Sequence, residues 1–134
     1  MADDTTAETD DPRQFSRLIG LEMEAMDDGH SRGSLAVTEQ LQNPFGVLHG
    51  GVLYAMADTG MGAALYPGLE GDERCATIEI KISYMQAVTE GTIVCETDVV
   101  KRGRRVAYLE SDLTNDGDLV AQATGSFSIF TPDR

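Results

Sequence analysis

The feature that most constrains this chain is an almost unbroken apolar stretch, residues 52–65, with a single carboxylate at Asp58. It follows a polar, glycine-rich run, residues 43–51, that reads NPFGVLHGG. Apolar residues on nearly every side predict a helix that is buried all round, and Pro67 and Gly68 predict its end. An ionised carboxylate in such surroundings is strongly unfavourable unless it is paired or hydrogen-bonded. Asp58 is therefore a candidate for chemistry.

Length and composition set the class of protein. A chain of 134 residues with 41% apolar residues is long enough for one domain with a real core. Its longest apolar stretch is shorter than the roughly 20 residues that a membrane-spanning helix needs, so we expect no membrane anchor. Residues 1–11 are acidic and polar, which predicts a disordered tail instead of a secretory signal, and hence a cytoplasmic protein. Residues 12–134 are expected to form the single domain.

The charge of the chain is extreme for its length. Asp and Glu number 23 against 10 Lys and Arg, which gives a formal net charge of −13. This balance excludes nonspecific nucleic-acid binding, which needs a basic surface. Only Lys81 and Lys101 are lysines. Acid excess with few lysines is typical of proteins from salt-loving microbes, where concentrated salt screens charge repulsion, so a halophilic source is predicted.

The cysteines and histidines do not cluster along the chain. Cys75 and Cys95 are far apart and form no CxxC pair, so we expect two small buried or half-buried hydrophobes and no metal site. His30 follows an Asp-Asp-Gly turn and is expected to be a solvated surface residue. No GxSxG sequence supports Ser-His-Asp catalysis.

Hydrophobic periodicity predicts the elements that precede the long helix. Pro12 suits the start of a short helix that Gly20 ends, with one apolar face made of Phe15, Leu18 and Ile19. Alternation over residues 21–25 and 34–38, with a turn at residues 27–29, predicts a β-hairpin.

From Cys75 onward every segment has the pattern of a strand. Ile78, Ile80 and Ile82 alternate with polar residues, and three further strands are predicted before residue 130. Turn sequences at residues 89–91, 102–104 and 115–117 predict an antiparallel meander. The fold class is therefore α+β, with one long buried helix against a curved antiparallel sheet.

The glycines at the start of the predicted helix suggest a site for a negative oxygen. The first N–H groups of a helix have no partner within it, and a glycine lets an incoming group reach them. Such a terminus can stabilise the oxyanion that forms when a carbonyl is attacked. Gly50 is the best candidate for this donor, with Gly51 beside it. The two glycines also fit a plain tight turn.

If Asp58 and the His49–Gly50 end of the helix act on the same carbonyl, their spacing excludes a site formed within one chain. Asp58 follows His49 by nine residues, which is roughly 13 Å along a helix axis and about half a revolution around it. A base and an oxyanion donor that serve one carbonyl must both lie close to it. Two antiparallel copies of the helix, related by a two-fold axis, would bring them together. An obligate homodimer with two composite sites is therefore predicted.

Two further groups leave alternatives open. His49 either transfers a proton or is a neutral imidazole that fixes the turn, and Asn43 could brace the same loop. The run 101–105, KRGRR, is either a docking point for a phosphorylated ligand or an ordinary charged hairpin tip. Its candidate ligand-binding residues are Lys101, Arg104 and Arg105.

The motif N-x-x-G-x-x-H-G-G-x-x-x-x-x-x-D resembles that of the hotdog-fold acyl-CoA thioesterases, in particular the phenylacetate-degradation (PaaI-like) subgroup. It is met by Asn43, Gly46, His49, Gly50, Gly51 and Asp58. The resemblance covers about residues 12–131 and implies a hotdog fold, a helix wrapped by a five- or six-stranded sheet. It also implies two units paired through one continuous sheet, and often a dimer of dimers. The implied activity is hydrolysis of an acyl-CoA thioester without metal or organic cofactor.

The resemblance also implies roles for single residues. Asp58 would act as nucleophile or general base, and the Gly50 amide of the opposite subunit would polarise the thioester carbonyl. Asn43 would help to place substrate or water, and His49 would shape the loop. A hydroxyl on the strand after the helix, here Thr77, would assist the acid. For the acyl pocket the generic candidates are Phe45, Val52 and Tyr54.

Two other functions remain open at this point. Hotdog hydratases add water to enoyl thioesters, and they generally place an Asp and a His together, whereas Asp58 and His49 are separated along a helix. A non-catalytic acyl-CoA binding module would bind tightly without turnover.

Overall fold

The computed structural model describes residues 14–133. The predicted tail and the predicted helix start at Pro12 lie outside the described residues. Two α-helices and six β-strands follow in chain order: α1 Phe15–Ile19, β1 Glu22–Asp27, β2 His30–Ala36, α2 Gly50–Leu65, β3 Arg74–Tyr84, β4 Thr92–Arg102, β5 Val106–Asn115 and β6 Asp118–Phe130. Short 3₁₀ turns, Glu39–Leu41 and Tyr66–Gly68, lie on either side of α2.

The six strands form one antiparallel sheet in the order β1-β2-β4-β5-β6-β3. The sheet is curved, and α2 packs against all six strands. The core lies between them and is built mainly from Leu, Val, Ile, Met and Ala. The α+β fold class predicted from the sequence is confirmed, and the arrangement is the hotdog fold. No helix within residues 14–133 is long and apolar enough to cross a membrane.

The strand order corrects the predicted meander. Strands β4, β5 and β6 are consecutive neighbours, but β3 lies at the far edge beside β6, while β2 pairs with β4. The predicted hairpin turn at residues 89–91 is therefore wrong. These residues belong to a crossing segment whose Val88 is buried and accepts a hydrogen bond from the Leu48 N–H. Alternation indicates a strand but not its neighbour, because any antiparallel partner satisfies the same backbone groups.

Helix α2 begins and ends where the sequence predicted, but it is not buried all round. One side packs into the core through residues such as Leu53, Met56 and Met61. The other side is not covered within residues 14–133. We call it the open stripe, and it consists of Gly51, Tyr54, Ala55, Asp58 and Gly62. Their spacing places them on one helix face, so Asp58 lies at the surface of the single chain.

A glycine and a group of buried hydroxyls set how deeply α2 sits against the sheet. The Ser31 hydroxyl donates to the Gly60 carbonyl at 2.6 Å, and the Thr97 and Ser111 hydroxyls share a hydrogen bond at 2.7 Å. All three hydroxyl residues are buried. A Cβ at Gly60 would lie 2.8 Å from Thr97 Oγ1, so only glycine permits this close approach.

A β-bulge in β3 changes which residues face the helix. Thr77 pairs with Phe127 and Glu79 with Ser126, so Ile78 is an extra residue. A bulge of this kind reverses the alternation on one side of it. Thr77 therefore shares the inner face with Ile80, while Ile78 is 56% exposed. The prediction that Ile78 shares a face with Ile80 and Ile82 is wrong.

Smaller expectations have mixed outcomes. Cys95 is buried and Cys75 half-buried, as predicted. His30 is not simply solvated, because its Nδ1 lies 2.9 Å from Asp98 Oδ1 in the neighbouring strand. That hydrogen bond raises the pKa of His30 above its ordinary value.

The short helix α1 forms and ends at Gly20, which has a left-handed conformation with φ of 84°. Its predicted apolar face is only partly used. Ile19 packs against the core, whereas Phe15 and Leu18 are exposed.

The seating of α2 gives a matched pair of substitutions. Gly60→Ala should lower the free energy of unfolding by about 1–3 kcal/mol, because the new methyl group collides with Thr97. Among residues 14–133 of the single chain a Cβ at Gly62 meets nothing within 4 Å, so Gly62→Ala should raise the free energy of unfolding by about 0.5–1 kcal/mol through helix propensity. Urea unfolding at fixed salt concentration measures both. Equal stabilisation by the two substitutions would contradict the close approach.

Candidate active site

Asn43 holds together the turn that precedes α2. Its side-chain oxygen accepts hydrogen bonds from the N–H groups of Phe45 at 2.9 Å and Val47 at 3.3 Å. Its own N–H donates to the Val47 carbonyl at 2.8 Å. Gly46 closes the turn with φ of 80°, a conformation that favours glycine. Asn43 thus braces the loop through its side chain, one of the uses that its sequence position suggested.

His49 caps the N-terminus of α2. Its ring Nδ1 accepts the Gly51 N–H at 2.8 Å, and its carbonyl accepts the Val52 N–H at 2.9 Å. Its own N–H donates to the Leu41 carbonyl at 2.9 Å. An accepting Nδ1 requires the tautomer with hydrogen on Nε2. The contacts therefore favour the interpretation in which the imidazole fixes the turn.

These caps leave one N–H of the first helical turn without an acceptor. The Gly51 and Val52 N–H groups are both bonded to His49. Among the residues that the structure describes, no acceptor is paired with the Gly50 N–H. The Gly50 carbonyl, in contrast, accepts the Tyr84 hydroxyl at 2.8 Å. Gly50 is therefore the available backbone donor at this end of the helix.

Asp58 is held by a residue of the neighbouring strand. It is half-buried on the open stripe, and the Thr77 hydroxyl donates to its Oδ1 at 2.6 Å. The sequence predicted a large free-energy cost for burying this carboxylate. Partial exposure and one hydrogen bond lower that cost. Burial raises the pKa of the nearby Cys75 thiol, and the negative charge of Asp58 raises it further.

Within one chain the two parts of the site stay apart. Asp58 lies two turns of helix beyond Gly50, roughly 12 Å along the axis. The two strand contacts show the same separation, because Thr77 lies in the first half of β3 and Tyr84 is its last residue. The structure therefore brings Asp58 together with Thr77, and Gly50 with Tyr84, but not Asp58 with Gly50.

An apolar cleft opens beside Gly50. Its volume is about 380 Å³, and its walls come from the end of β3, the crossing segment and the start of α2, chiefly Leu48, Leu53, Tyr84, Met85 and Val88. Of the pocket residues predicted from the sequence, Phe45 is 90% exposed at the tip of the turn and Val52 is buried in the core. Neither lines this cleft. Sequence reasoning missed Tyr84, and its only signal was an aromatic residue at a strand end.

The basic run lies at the tip of the β4–β5 hairpin. Arg104 and Arg105 line a groove of about 500 Å³ together with Glu73 and Phe130. Glu73 is paired with Arg102 at 3.3 Å. Lys101 is exposed on β4 and does not line the groove.

The donor set of the site suits chemistry at a carbonyl. It offers a carboxylate with a hydroxyl partner and a backbone N–H that can stabilise an oxyanion. Across residues 14–133 no three His, Cys, Asp or Glu side chains lie close enough together to hold a metal ion.

The link between Asp58 and Cys75 predicts a measurable shift in thiol reactivity. Asp58→Asn should lower the pKa of Cys75, because it removes a negative charge that disfavours the thiolate. Alkylation of Cys75 by iodoacetamide near pH 8.5, followed by mass spectrometry, should then be faster than in the wild type. Cys95 is buried, with a pKa raised to about 11, and serves as an internal reference.

Glu79→Gln removes an exposed carboxylate from the same strand and is the matched control. It should leave the alkylation rate of Cys75 unchanged. Equal rates for Asp58→Asn and the wild type would show that Asp58 does not influence this thiol.

Known proteins share this sequence and architecture. The model of the Thioesterase superfamily matches residues 45–122, more than half of the chain. Acyl-coenzyme A thioesterase 13 of Pongo abelii is 31% identical over 114 residues, which cover 82% of this chain and 81% of that protein. The 1,4-dihydroxy-2-naphthoyl-CoA hydrolase of Listeria monocytogenes is 26% identical over 102 residues, 76% of this chain and 83% of that protein.

A solved structure gives the same result. The phenylacetic acid degradation-related protein of Ralstonia eutropha JMP134 is 25% identical and superposes with a TM-score of 0.82. The superposition covers 94% of this chain and 97% of that chain. On this combined likeness, the chain belongs to the Thioesterase superfamily and is a thioester hydrolase with a hotdog fold.

Proposed function

We propose that the protein hydrolyses an aryl- or medium-chain acyl-CoA thioester to the free acid and CoA. The observation that carries this proposal is the Asp58 carboxylate. It lies on the open stripe of α2 and accepts a hydrogen bond from the Thr77 hydroxyl of β3. Asp58 is accessible on this face, and its own chain places no oxyanion donor beside it. Such a carboxylate is suited to act on a thioester carbonyl that is held by the donor of another subunit. The N–H of Gly50, which has no acceptor among residues 14–133, supplies the complementary oxyanion donor.

The comparisons support the substrate class. The named relatives from Pongo abelii and Listeria monocytogenes act on acyl-CoA and on an aromatic acyl-CoA, as their names state. The cleft beside Gly50, of about 380 Å³, is lined mainly by apolar side chains and has room for a ring or a medium chain.

The chemistry follows from the two halves of the site. Asp58 either attacks the thioester carbon directly or takes a proton from a water that attacks it. In both cases the carbonyl oxygen becomes negative and accepts a hydrogen bond from the Gly50 N–H of the partner subunit. The C–S bond then breaks and the sulfur leaves as the CoA thiolate. On the general-base route this step releases the free acid, and the proton held by Asp58 converts the thiolate to the thiol. On the nucleophilic route it leaves a mixed anhydride of Asp58 and the acyl group, which water hydrolyses to the free acid and the regenerated carboxylate, with a proton from water converting the thiolate to the thiol. Thr77 orients the carboxylate by donating to Oδ1.

A second copy of the chain would complete the site through strand β3. This strand lies at an edge of the sheet, so one side of its backbone has no neighbour within the described chain. It is 11 residues long, and an exposed edge of that length is suited to pairing with another strand. Antiparallel pairing of two β3 edges produces one continuous sheet and sets the two α2 helices antiparallel.

The bulge allows a register that would bring the two halves of the site together. Paired residues in antiparallel strands point to the same face, so a symmetric pair must have the two-fold axis at a residue. An axis at Lys81 places Glu79 opposite the partner subunit's Ser83. Because Ile78 is extra, the next inward residue, Thr77, then lies opposite the partner subunit's Tyr84. In this register Asp58 approaches the partner subunit's Gly50. Assembly into a dimer of dimers stays a prediction.

The groove at Arg104 and Arg105 is the proposed docking point for the CoA phosphates. Ala107, Phe127 and Thr77 lie in one row across β5, β6 and β3. The groove begins beside this row, two strand spacings or roughly 10 Å from Thr77. Arginine side chains recognise phosphate oxygens well, and an extended pantetheine arm would bridge the interval. Lys101 and Phe45 are more distant candidates.

Asp58→Asn tests the proposed chemistry. In molar salt, thiol release from a panel of aryl- and medium-chain acyl-CoAs should fall by about 10²–10⁴-fold, because the nucleophile or base is lost. Asp112→Asn, which removes an exposed carboxylate from β5, is the matched control and should retain activity.

Other results would support the alternative functions. Equal thiol release by Asp58→Asn and the wild type would contradict the role of Asp58. Hydration of crotonyl-CoA without thiol release would indicate a hydratase, and tight binding of the acyl-CoA panel without turnover would indicate a binding module.

Lys81→Cys tests the proposed register. Two Cα atoms directly opposite each other in antiparallel strands lie about 4.5–5.5 Å apart, within disulfide range. The variant should form a disulfide-linked dimer under mild oxidation, seen on a non-reducing gel. In Ser83→Cys the two thiols would be offset by four residues, roughly 13 Å, so this control should not cross-link. Cross-linking at position 83 alone, or a monomer by sedimentation, would contradict the register.

A further inference from the structure

We infer that Tyr84, the last residue of β3, is a positioning residue for the oxyanion donor Gly50 and the wall that limits the size of the acyl group. The inference rests on the proposed thioesterase function and deepens it. Nothing in the motif around Gly50 points to Tyr84, which lies 34 residues away in sequence. The assignment comes from contacts that only the folded chain makes.

The first contact is a hydrogen bond. The Tyr84 hydroxyl donates to the Gly50 carbonyl at 2.8 Å. This carbonyl belongs to the first turn of α2, so the bond ties the start of the helix to the end of β3. The N–H of the same residue has no acceptor in the described part of the chain. A fixed Gly50 backbone is pre-organised for an oxyanion, which is how such donors lower a barrier.

The second contact is with the ring of Tyr84. A Cβ at position 50 would lie 3.1–3.2 Å from three atoms of the phenol. That is tighter than ordinary van der Waals contact, so a side chain at position 50 would require the ring to move by a few tenths of an ångström. Gly50 therefore has a packing reason to be glycine in addition to its place in the turn.

The third observation is the cleft itself. Tyr84 lines it together with Leu53 and Met85, and 51% of the tyrosine is exposed, so one side of the ring faces the opening. Burial raises the pKa of the Tyr84 hydroxyl, and the nearby Tyr54 raises it further. The phenol therefore remains a protonated donor at neutral pH, as the bond to Gly50 requires.

The two parts of the side chain have separable consequences. Without the hydroxyl, the Gly50 backbone loses a tether but the cleft keeps its shape, so kcat falls while KM stays nearly constant. Without the ring, the cleft grows beside the oxyanion donor, so larger acyl groups gain in kcat/KM relative to small ones. A residue with only a structural role would not produce this split.

Tyr84→Phe tests the hydroxyl. The kcat for the best acyl-CoA of the panel should fall about 3- to 10-fold, the effect of one hydrogen bond. The KM should stay within about twofold, and the unfolding midpoint should fall only slightly, as expected for the loss of one hydrogen bond. Tyr108→Phe, which changes an exposed tyrosine of β5, is the matched control and should behave as wild type.

Tyr84→Leu tests the ring. The ratio of kcat/KM for a naphthoyl thioester to that for a benzoyl thioester should rise compared with the wild type. A wild-type kcat in Tyr84→Phe, or an unchanged ratio in Tyr84→Leu, overturns the role of Tyr84 while leaving the proposed function intact. A wild-type protein that releases no thiol from any member of the panel overturns both.

Discussion

The close seating of α2 on the curved sheet is the constraint on which the rest of the structure depends. Gly60 allows the helix to approach the buried hydroxyl of Thr97, and Ser31 bonds to the Gly60 carbonyl. Hydroxyls at these buried positions are satisfied by one another and by the helix backbone, so burial carries little penalty. Because one side of α2 is held against the sheet, the opposite side, the open stripe, faces outward. The acid lies on that surface because the helix has no room to rotate.

Strand β3 links the helix to the proposed chemistry at two points. Its bulge at Ile78 turns Thr77 inward to meet Asp58, and its last residue, Tyr84, meets Gly50. Strict alternation from Ile80 and Ile82 would have turned Thr77 away from the helix. Within the described residues the same strand is also one of the two edges of the sheet. One element thus positions both halves of the site and offers the surface on which a second copy would join them.

The candidate site was largely visible in the sequence because its parts are local. The turn from Asn43 to Gly51 uses side chains that bond to backbone a few residues away, and such contacts depend on short spacings. The distance between Gly50 and Asp58 follows from helix geometry alone. The pocket residues were not predictable in this way. Tyr84, the last residue of β3, and Met85, which follows it, reach the cleft only because the folded chain brings the end of this strand beside the start of α2.

The sequence by itself determined the class of the elements, the start of α2 near Gly50, and the fact that one chain holds Gly50 and Asp58 too far apart to share a carbonyl. These properties depend on local backbone geometry, and the spacing of apolar side chains along the sequence indicates that geometry. Only the tertiary structure decided that β3 lies beside β6, that Ile78 is the extra residue, and that residues 14–133 leave one side of α2 uncovered. Those outcomes depend on which distant segments pack together, because several strands with the same alternation could fill each place in the sheet.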